Sequence, residues 1–343
     1  MVNEMSGETL KPEGGGQKRS LRVTIVLLWA LIALLLWWSL RQAPLGEIVQ
    51  TLRALRPWQF AVVIGMNLLI YATIALRWRL VLRGLSQAEQ PRSVRFADLF
   101  AYRLSSFGVN YFTPGPFGGE PLQFFLLTRR SKLENASALS GIFLDRLLEA
   151  LVTITFVVTG LVLLMLRGMA GAGLNAWAAP AAGLVLALPL AHMLALWRGK
   201  LLLSSFLARI NGGERWQKIR ATVFRAEEQI ATLFATRPGV LLAGTALSVL
   251  TWLLMLAEFI LMLRFLNIPL GMVESLIALT VAQLAFAVPV PGGLGTLEAG
   301  QVFAMQMFAV DPVLGLSLSL LMRVRDVLFG IAGLFLAGWL VKG

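Results

Sequence analysis

Six long apolar runs constrain this chain more than any other feature of its sequence. They fall near residues 22–40, 57–76, 137–166, 177–197, 238–263 and 313–340. Several windows within them continue for about 18 residues or more without a charge, the length that an α-helix needs to cross a hydrocarbon core of roughly 30 Å. Membrane-spanning β-strands would show short alternating segments instead. We therefore predict an all-α, polytopic membrane protein with about six full transmembrane helices.

Composition and charge limit further which classes of protein this chain can belong to. Of 343 residues, 57% are apolar and 14% are charged, and the formal net charge is +12. The basic residues cluster at the ends of the apolar runs, which indicates membrane topology and anionic lipid rather than nucleic acid as a partner. The sequence has no cysteine and one histidine. Thiolate and histidine metal sites are therefore not expected, and we expect neither a metal nor a cofactor.

The polar stretches divide the chain. Residues 1–20 are polar and without periodicity, and we expect a disordered cytoplasmic tail. Residues 21–343 then form one membrane domain, with a first half at 21–197, a linker at 198–237 and a second half at 238–343. The linker mixes apolar residues with Arg, Lys and Glu, which is typical of amphipathic helices that lie on the inner leaflet and bind anionic lipids there.

Two further apolar stretches, near 97–128 and 273–309, are interrupted by proline and glycine. Neither can be one continuous helix, and each is predicted to be a re-entrant pair of half-helices. Six spans and two such hairpins put both termini on one side. The segments on that side contain more Lys and Arg residues than the loops on the opposite side. We count Arg77 among them, as a loop residue. This bias predicts both termini in the cytoplasm and a multi-pass protein of the cytoplasmic (inner) membrane.

An internal repeat relates the two broken stretches. A shift of 177 residues places Pro114 on Pro291, Gly115 on Gly292, Gly118 on Gly295, Arg146 on Arg323 and Glu149 on Asp326. An odd number of predicted spans separates the hairpins, so the repeats are inverted. Inverted repeats with discontinuous helices near the bilayer centre are typical of secondary transporters.

The unusual residues within the membrane are the candidates for substrate binding. Charges inside predicted spans are costly and usually face a cavity, and a broken helix must line protein or water. Thr296 is expected to cap the half-helix that follows it, and the spacing allows Arg146 to pair with Glu149 and Arg323 with Asp326. The candidates are Arg103, Tyr111, Pro114, Gly115, Gly118, Gly119, Glu120, Gln123, Asp145, Arg146, Glu149, Pro291, Gly292, Gly293, Gly295, Thr296, Glu298, Arg323, Arg325 and Asp326. The alternative is that these carboxylates satisfy helix ends or form structural ion pairs.

The same segments resemble a known family. The stretch from Tyr111 to Pro121, the tetrapeptide Leu144-Asp145-Arg146-Leu147, the stretch from Pro291 to Glu298 and the region from Arg323 to Asp326 are similar to the lysylphosphatidylglycerol synthase transmembrane family, which includes the membrane domain of the multiple peptide resistance factor. The resemblance covers nearly all of the chain after residue 20. It implies a flippase-like domain that moves a polar-headed lipid. The synthases of this family carry a soluble domain after the membrane part, so we expect no synthase activity here.

Three functions are compatible with these observations. The first is a flippase that moves a polar-headed lipid, anionic or lipid-linked, through a cavity between the hairpins. The second is a membrane-embedded transferase acting on a lipid phosphate or a lipid-linked sugar, and the third is a non-transporting partner of a lipid-biosynthetic enzyme. We expect the first, and hence a transporter rather than an enzyme. Both a monomer and a homodimer are compatible with the sequence.

Overall fold

The computed structural model describes residues 55–85, 94–113, 118–168, 172–210, 212–288 and 290–342. Within these ranges the chain forms helices and no strand, as predicted. The predicted tail at 1–20 and the first apolar run at 22–40 lie outside the described residues. The helices are α1 (Pro57–Leu85), α2 (Phe96–Phe112), α3 (Gly119–Phe125), α4 (Asn135–Leu166), α5 (Ala172–Trp197), α6 (Leu202–Leu207), α7 (Glu214–Thr236), α8 (Pro238–Phe265), α9 (Met272–Ala287), α10 (Thr296–Met307) and α11 (Pro312–Lys342).

Four of the predicted apolar runs form helices of membrane-spanning length. These are α1, α4, α8 and α11, with 29, 32, 28 and 31 residues, and each is apolar enough to cross a bilayer. Helix α1 continues to Leu85, past the predicted end at residue 76. A further predicted run, 177–197, lies within α5. The chain is therefore a multi-pass, all-α membrane protein.

Both proline- and glycine-rich stretches break their helices, as the sequence predicts. Helix α2 ends at Phe112 and α3 begins at Gly119, and a π-helical turn from Leu126 to Arg130 extends α3. Helix α9 ends at Ala287, and α10 begins after a 3₁₀ turn.

The second break depends on glycine. Gly292, Gly293 and Gly295 have φ angles of 58°, 61° and 78°. Side chains with a Cβ rarely adopt this left-handed region, so glycine is the residue that permits the chain to reverse here. This reversal brings α9 and α10 together as a helical pair.

Helices α1 and α8 pack against each other in opposite directions. Along this pair, Trp58 stacks edge-on against Phe265 with 5.4 Å between ring centroids, and Arg77 Nη1 donates to Ser248 Oγ at 3.1 Å. As the residue number rises along α1, it falls along α8. Between these two contacts, the hydroxyl oxygens of Thr73 and Thr251 lie 2.9 Å apart.

The helix boundaries follow the sequence repeat. A shift of 177 residues carries the first residue of α4, Asn135, onto the first residue of α11, Pro312, and the first residue of α3, Gly119, onto Thr296 of α10. The same shift brings the ends of α1 and α2 within four residues of the ends of α8 and α9. Because α1 and α8 are antiparallel, the two repeats have opposite directions at this contact.

Glycines allow α2 and α11 to approach closely. A Cβ on Gly108 would lie 2.6 Å from the carbonyl oxygen of Gly330, and a Cβ on Gly333 would collide with the carbonyl oxygen of Leu104. The pair that the repeat relates to this one, α4 and α9, meets at Gly160 and Thr280, where a Cβ on Gly160 would also collide with the threonine side chain. Small residues at helix crossings are how membrane helices reach backbone contact.

The segment 198–237 contains α6 and α7, and α7 packs against α4. Glu227 of α7 accepts hydrogen bonds from the backbone amides of Leu203 and Ser204 at 2.9 and 2.7 Å, so it fixes the start of α6. Ile230 and Phe234, which the amphipathic pattern places at the membrane surface, are instead buried in a cluster with α1 and α4. They are buried because the apolar stripe of α7 packs on protein.

Candidate functional site

A cavity of about 400 Å³ lies among α1, α2, α4, α8, α9 and α11, and the second break closes part of it. Among the described residues, six charged side chains line it. Arg103, Arg146 and Arg325 carry the positive charges, and Glu149, Glu258 and Asp326 carry the negative ones. The formal charge of the lining is therefore zero, in contrast to the strongly positive chain.

Helical spacing explains how α2 supplies one wall. Arg103, Ser106, Phe107 and Asn110 follow the i, i+3, i+4, i+7 pattern of one helix face, and all four line the cavity. The last of them, Asn110, also accepts a hydrogen bond of 2.6 Å at its Oδ1 atom from the amide of Gly119, the first residue of α3. The broken helix is therefore tied to the wall that it follows.

A buried network supports this wall from behind. Asp145, which has no exposed surface, accepts hydrogen bonds from Arg77 Nε at 2.8 Å and from Arg77 Nη2 at 3.2 Å, and also from Arg103. The guanidinium carbon of Arg103 lies 4.5 Å above the centre of the Trp78 ring. One carboxylate thus joins α1, α2 and α4, and the indole fixes the plane of the arginine that faces the cavity.

Arg146 connects the first half-helix to α4. Its Nη2 atom lies 3.1 Å from Glu120 Oε1, and its Nη1 atom donates to Glu149 Oε2 at 2.9 Å. Glu149 also accepts from Arg77 at 2.8 Å. The predicted Arg146–Glu149 pair is therefore confirmed, and Asp145 and Glu149, one turn apart on α4, both contact Arg77.

Arg323 has the corresponding role in the second half. Its Nε atom donates to Glu298 Oε1 at 2.8 Å, its Nη2 atom donates to the same oxygen, and its Nη1 atom donates to the carbonyl of Gly292 at 3.2 Å. It does not pair with Asp326, contrary to the prediction from spacing. Asp326 instead pairs with its neighbour Arg325 at 2.8 Å, because the second break brings Glu298 to Arg323.

The two ion pairs are related by the repeat to within one residue, because the shift of 177 carries Arg146 onto Arg323 and Glu120 onto the neighbour of Glu298. We call Glu120–Arg146 the first clamp and Glu298–Arg323 the second clamp. Each joins the first turn of a half-helix to the long helix that follows it, α4 or α11. The repeat therefore reproduces an interaction between helices as well as individual residues.

A third cluster joins α8 to α11. Arg325 Nη1 donates to Glu258 Oε2 at 2.6 Å, and Asn67 Nδ2 donates to the other oxygen of Glu258 at 3.2 Å. All three residues line the cavity. Charge neutralisation of this kind is what permits ionisable groups within an apolar fold.

The structure brings together part of the predicted set. Eight candidates line the cavity, namely Arg103, Tyr111, Arg146, Glu149, Gly292, Gly293, Arg325 and Asp326. Four candidates do not line the cavity but are connected to residues that do, through the ion pairs and hydrogen bonds described above. These are Asp145, Glu120, Glu298 and Arg323. Six candidates lie in the broken segments without lining the cavity, namely Gly118, Gly119, Gln123, Pro291, Gly295 and Thr296. The remaining two, Pro114 and Gly115, lie outside the described residues.

Besides the Arg323–Asp326 pair, two predictions about individual residues are wrong. Thr296 does not cap α10. Gly295 is the N-cap residue, and the Thr296 hydroxyl donates backwards to the carbonyls of Ala285 and Gly293 at 3.0 and 3.1 Å. Glu298 completes this start, since its carboxylate accepts from the Gly295 amide at 2.9 Å. Arg77 is not a loop residue but a buried residue of α1.

Sequence reasoning missed several residues of the site. Glu258 is a lone carboxylate within the apolar run of α8, and Asn67 is a lone amide within that of α1. Intramembrane polarity would have identified both, by the argument applied to Asp145. Among the described residues, no group of three or more His, Cys, Asp or Glu side chains is arranged to hold a metal ion.

Comparisons with known proteins agree with the fold class. The family model described as "Lysylphosphatidylglycerol synthase TM region" matches residues 21–333. A UPF0104 membrane protein of Methanothermobacter thermautotrophicus is 32% identical over 109 residues, which is 32% of this chain and 30% of that protein. No solved structure matches.

Proposed function

This chain belongs to the lysylphosphatidylglycerol synthase transmembrane family, and we propose that it moves a polar-headed membrane lipid between the two leaflets. The headgroup passes through the charged cavity while the acyl chains stay in the hydrocarbon. Such a route removes the main barrier, which is the cost of bringing an unpaired polar group into lipid. The paired charges of the lining replace part of the water that the headgroup loses.

The antiparallel crossing of α1 and α8 carries this proposal. It relates two halves of the chain by a shift of 178 residues at Thr73 and Thr251. The cavity takes its lining from both halves, including α2 from the first and α9 from the second. In transporters built this way, the halves rock about a fixed central site, and the site becomes accessible from each side in turn.

The two clamps provide the alternation. The first clamp holds α3 against α4, and the second holds α10 against α11. When one clamp opens and the other stays closed, the cavity is exposed towards one leaflet only. Because the repeats are inverted, the opposite combination exposes it to the other leaflet.

The membrane arrangement that we propose has six full spans, with α2–α3 and α9–α10 as re-entrant hairpins. The protein lies in the inner membrane, and both termini are in the cytoplasm. Helix α5 and the run at 22–40 supply the remaining two spans. In this arrangement the basic segment 198–237 lies on the cytoplasmic side. Its exposed apolar side chains, such as Phe206 and Phe224, then rest among anionic headgroups beside Arg220 and Arg225.

Movement of lipid by the purified protein tests the proposal. Fluorescent short-chain lipids, anionic and zwitterionic, are placed in liposomes that contain the protein, and the fraction accessible to an external quencher is followed with time. We expect transport by the natural chain and loss of transport in the Arg146→Ala/Arg323→Ala double variant. Arg129 and Arg264 are exposed arginines outside the cavity, so Arg129→Ala/Arg264→Ala is the matched control.

Absence of movement for every lipid, with a folded protein and with or without a pH gradient, would contradict the proposal. The transferase and the non-transporting partner would then be the hypotheses to test. A lipid product that forms only with an added donor would identify the former, and co-purification of a lipid-biosynthetic enzyme would identify the latter.

A further inference from the structure

The arginines of the site differ in how many of their donors are used. In Arg325, Nε and Nη2 contact Asp326 and Nη1 contacts Glu258. In Arg323, all three nitrogens contact Glu298 or backbone carbonyls of the break. Arg77 likewise uses Nε, Nη1 and Nη2 on Asp145, Ser248 and Glu149. In these three guanidinium groups, every nitrogen atom therefore contacts an acceptor within the protein.

Arg103 and Arg146 are different. The Nε atom of each is buried and has no hydrogen-bond partner in the part of the chain that the structure describes, and both residues line the cavity. Arg103 is only 4% exposed, so the unpartnered donor is a buried cation and not a solvated surface group. A buried N–H without an acceptor is unfavourable, and in most proteins such a group has a partner.

The negative side chains of the lining do not supply the missing acceptor. Glu149 is bound by Arg77 and Arg146, Glu258 is bound by Arg325 and Asn67, and Asp326 is bound by Arg325. Glu120 has one unpartnered carboxylate oxygen, but this residue does not line the cavity. The unpartnered buried atoms among the described lining residues are therefore both donors on cations.

We propose that Arg103 and Arg146 form a subsite for the phosphate group of a membrane lipid. The proposal rests on the function proposed above and specifies the headgroup. A phosphate offers several strong acceptor oxygens, and arginine is the side chain best suited to bind them. Trp78 on one side and Asp145 on the other hold Arg103 in place, so its free donor has a fixed direction. Asn110, two turns further along the same face of α2, also lines the cavity.

Two lipids that share one diacylglycerol anchor and one acyl-chain label test the subsite. One carries phosphoglycerol and the other carries neutral glucose without phosphate. Arg103→Lys and Arg146→Lys keep the charge for the ion pairs but remove the Nε donor. We expect each to slow the phosphate lipid by about tenfold, the equivalent of one charge-assisted hydrogen bond, and to change the glucose lipid by less than about twofold.

Arg325→Lys is the matched control, because it alters an arginine of the same cavity whose donors are all used within the protein. It should affect both lipids equally. If Arg103→Lys and Arg146→Lys also slow both lipids equally, or slow neither, the phosphate subsite is wrong while lipid movement stands. If the natural chain moves neither lipid, the proposed function itself fails.

A binding measurement separates the lipid from free phosphate. Thermal melting of the detergent-purified protein is recorded with the phosphoglycerol lipid, the glucose lipid or inorganic phosphate at equal concentrations. We expect a rise in melting temperature with the phosphoglycerol lipid alone, and loss of that rise in Arg103→Lys. An equal rise with inorganic phosphate, also lost in Arg103→Lys, would assign the site to a soluble anion and overturn the assignment to a lipid.

Discussion

Thr73 of α1 and Thr251 of α8 face each other through their hydroxyl oxygens, 2.9 Å apart, at positions separated by 178 residues. That separation is the repeat length to within one residue, so the two threonines lie at nearly equivalent positions of the two halves. Helices α1 and α8 run in opposite directions through this contact, which is the arrangement that inverted halves require.

Opposite labelling of equivalent positions is the first prediction. Arg129 lies in the π-helical turn after α3 and Gln306 in the last turn of α10, one repeat length apart, and both are exposed. The chain has no cysteine, so Arg129→Cys and Gln306→Cys each provide a single thiol. With a membrane-impermeant maleimide on oriented vesicles, we expect the Arg129→Cys variant to react only from the cytoplasmic side and the Gln306→Cys variant only from the other. Reaction of both variants from one side would show parallel repeats.

Asp145 should be essential for stability. Asp145→Asn leaves Arg77 and Arg103 as buried cations without their shared carboxylate, and breaking a buried ion pair costs about 3–5 kcal/mol. The melting temperature of the Asp145→Asn variant in detergent should be about 10 °C below that of the natural chain. Asp98→Asn removes an exposed partner of Arg95, 3.8 Å away, and should cost at most about 1 kcal/mol. Equal effects of the two changes would contradict the role given to Asp145.

The close contact of α2 and α11 gives a third prediction. A side chain at Gly333 meets the backbone of Leu104 and of Gly108, which cannot move aside as a flexible side chain would. Gly333→Ala should therefore destabilise the protein by about 1–3 kcal/mol, as overpacking does. Gly65 of α1 is exposed with open space around it, and Gly65→Ala should be neutral or stabilising by up to about 1 kcal/mol. Melting temperatures of the two variants, measured side by side, decide between these outcomes.

Weakening each clamp should make the cavity more accessible from a different side of the membrane. Glu120→Gln weakens the first clamp and Glu298→Gln weakens the second, because an amide keeps the shape and loses the charge. Each is combined with Gln283→Cys, which places a thiol in the cavity lining. We expect one clamp variant to raise maleimide labelling from one side and the other variant to raise it from the opposite side. A shift towards the same side in both would exclude the alternating role.

Much of this fold is visible in the sequence because the lipid solvent leaves few choices. Apolar runs of sufficient length become spanning helices, and proline with glycine must break the stretches around Phe112 and Ala287. The repeat, too, is present in the sequence, and the helix boundaries follow it.

The partners of the charged residues could not be predicted in the same way. Spacing along one helix suggested Arg323 with Asp326, but a half-helix distant in sequence delivers Glu298 to Arg323. The apolar run that ends at residue 76 predicts a loop at Arg77, but α1 continues to Leu85, and Asp145 of α4 offsets the cost of burying the arginine. Such pairings depend on how helices cross, and local sequence does not encode the crossing.

Blocking the cavity during lipid movement tests the central claim most directly. Gln283→Cys places a thiol in the cavity of an otherwise cysteine-free chain, and Arg129→Cys places one outside it. Each variant is reconstituted, its lipid movement is measured, a bulky maleimide is added, and the movement is measured again on the same vesicles. We expect modification of the Gln283→Cys thiol to reduce the rate by at least about tenfold and modification of the Arg129→Cys thiol to leave it unchanged. Undiminished movement with the Gln283→Cys variant fully modified would show that lipid headgroups do not pass through this cavity.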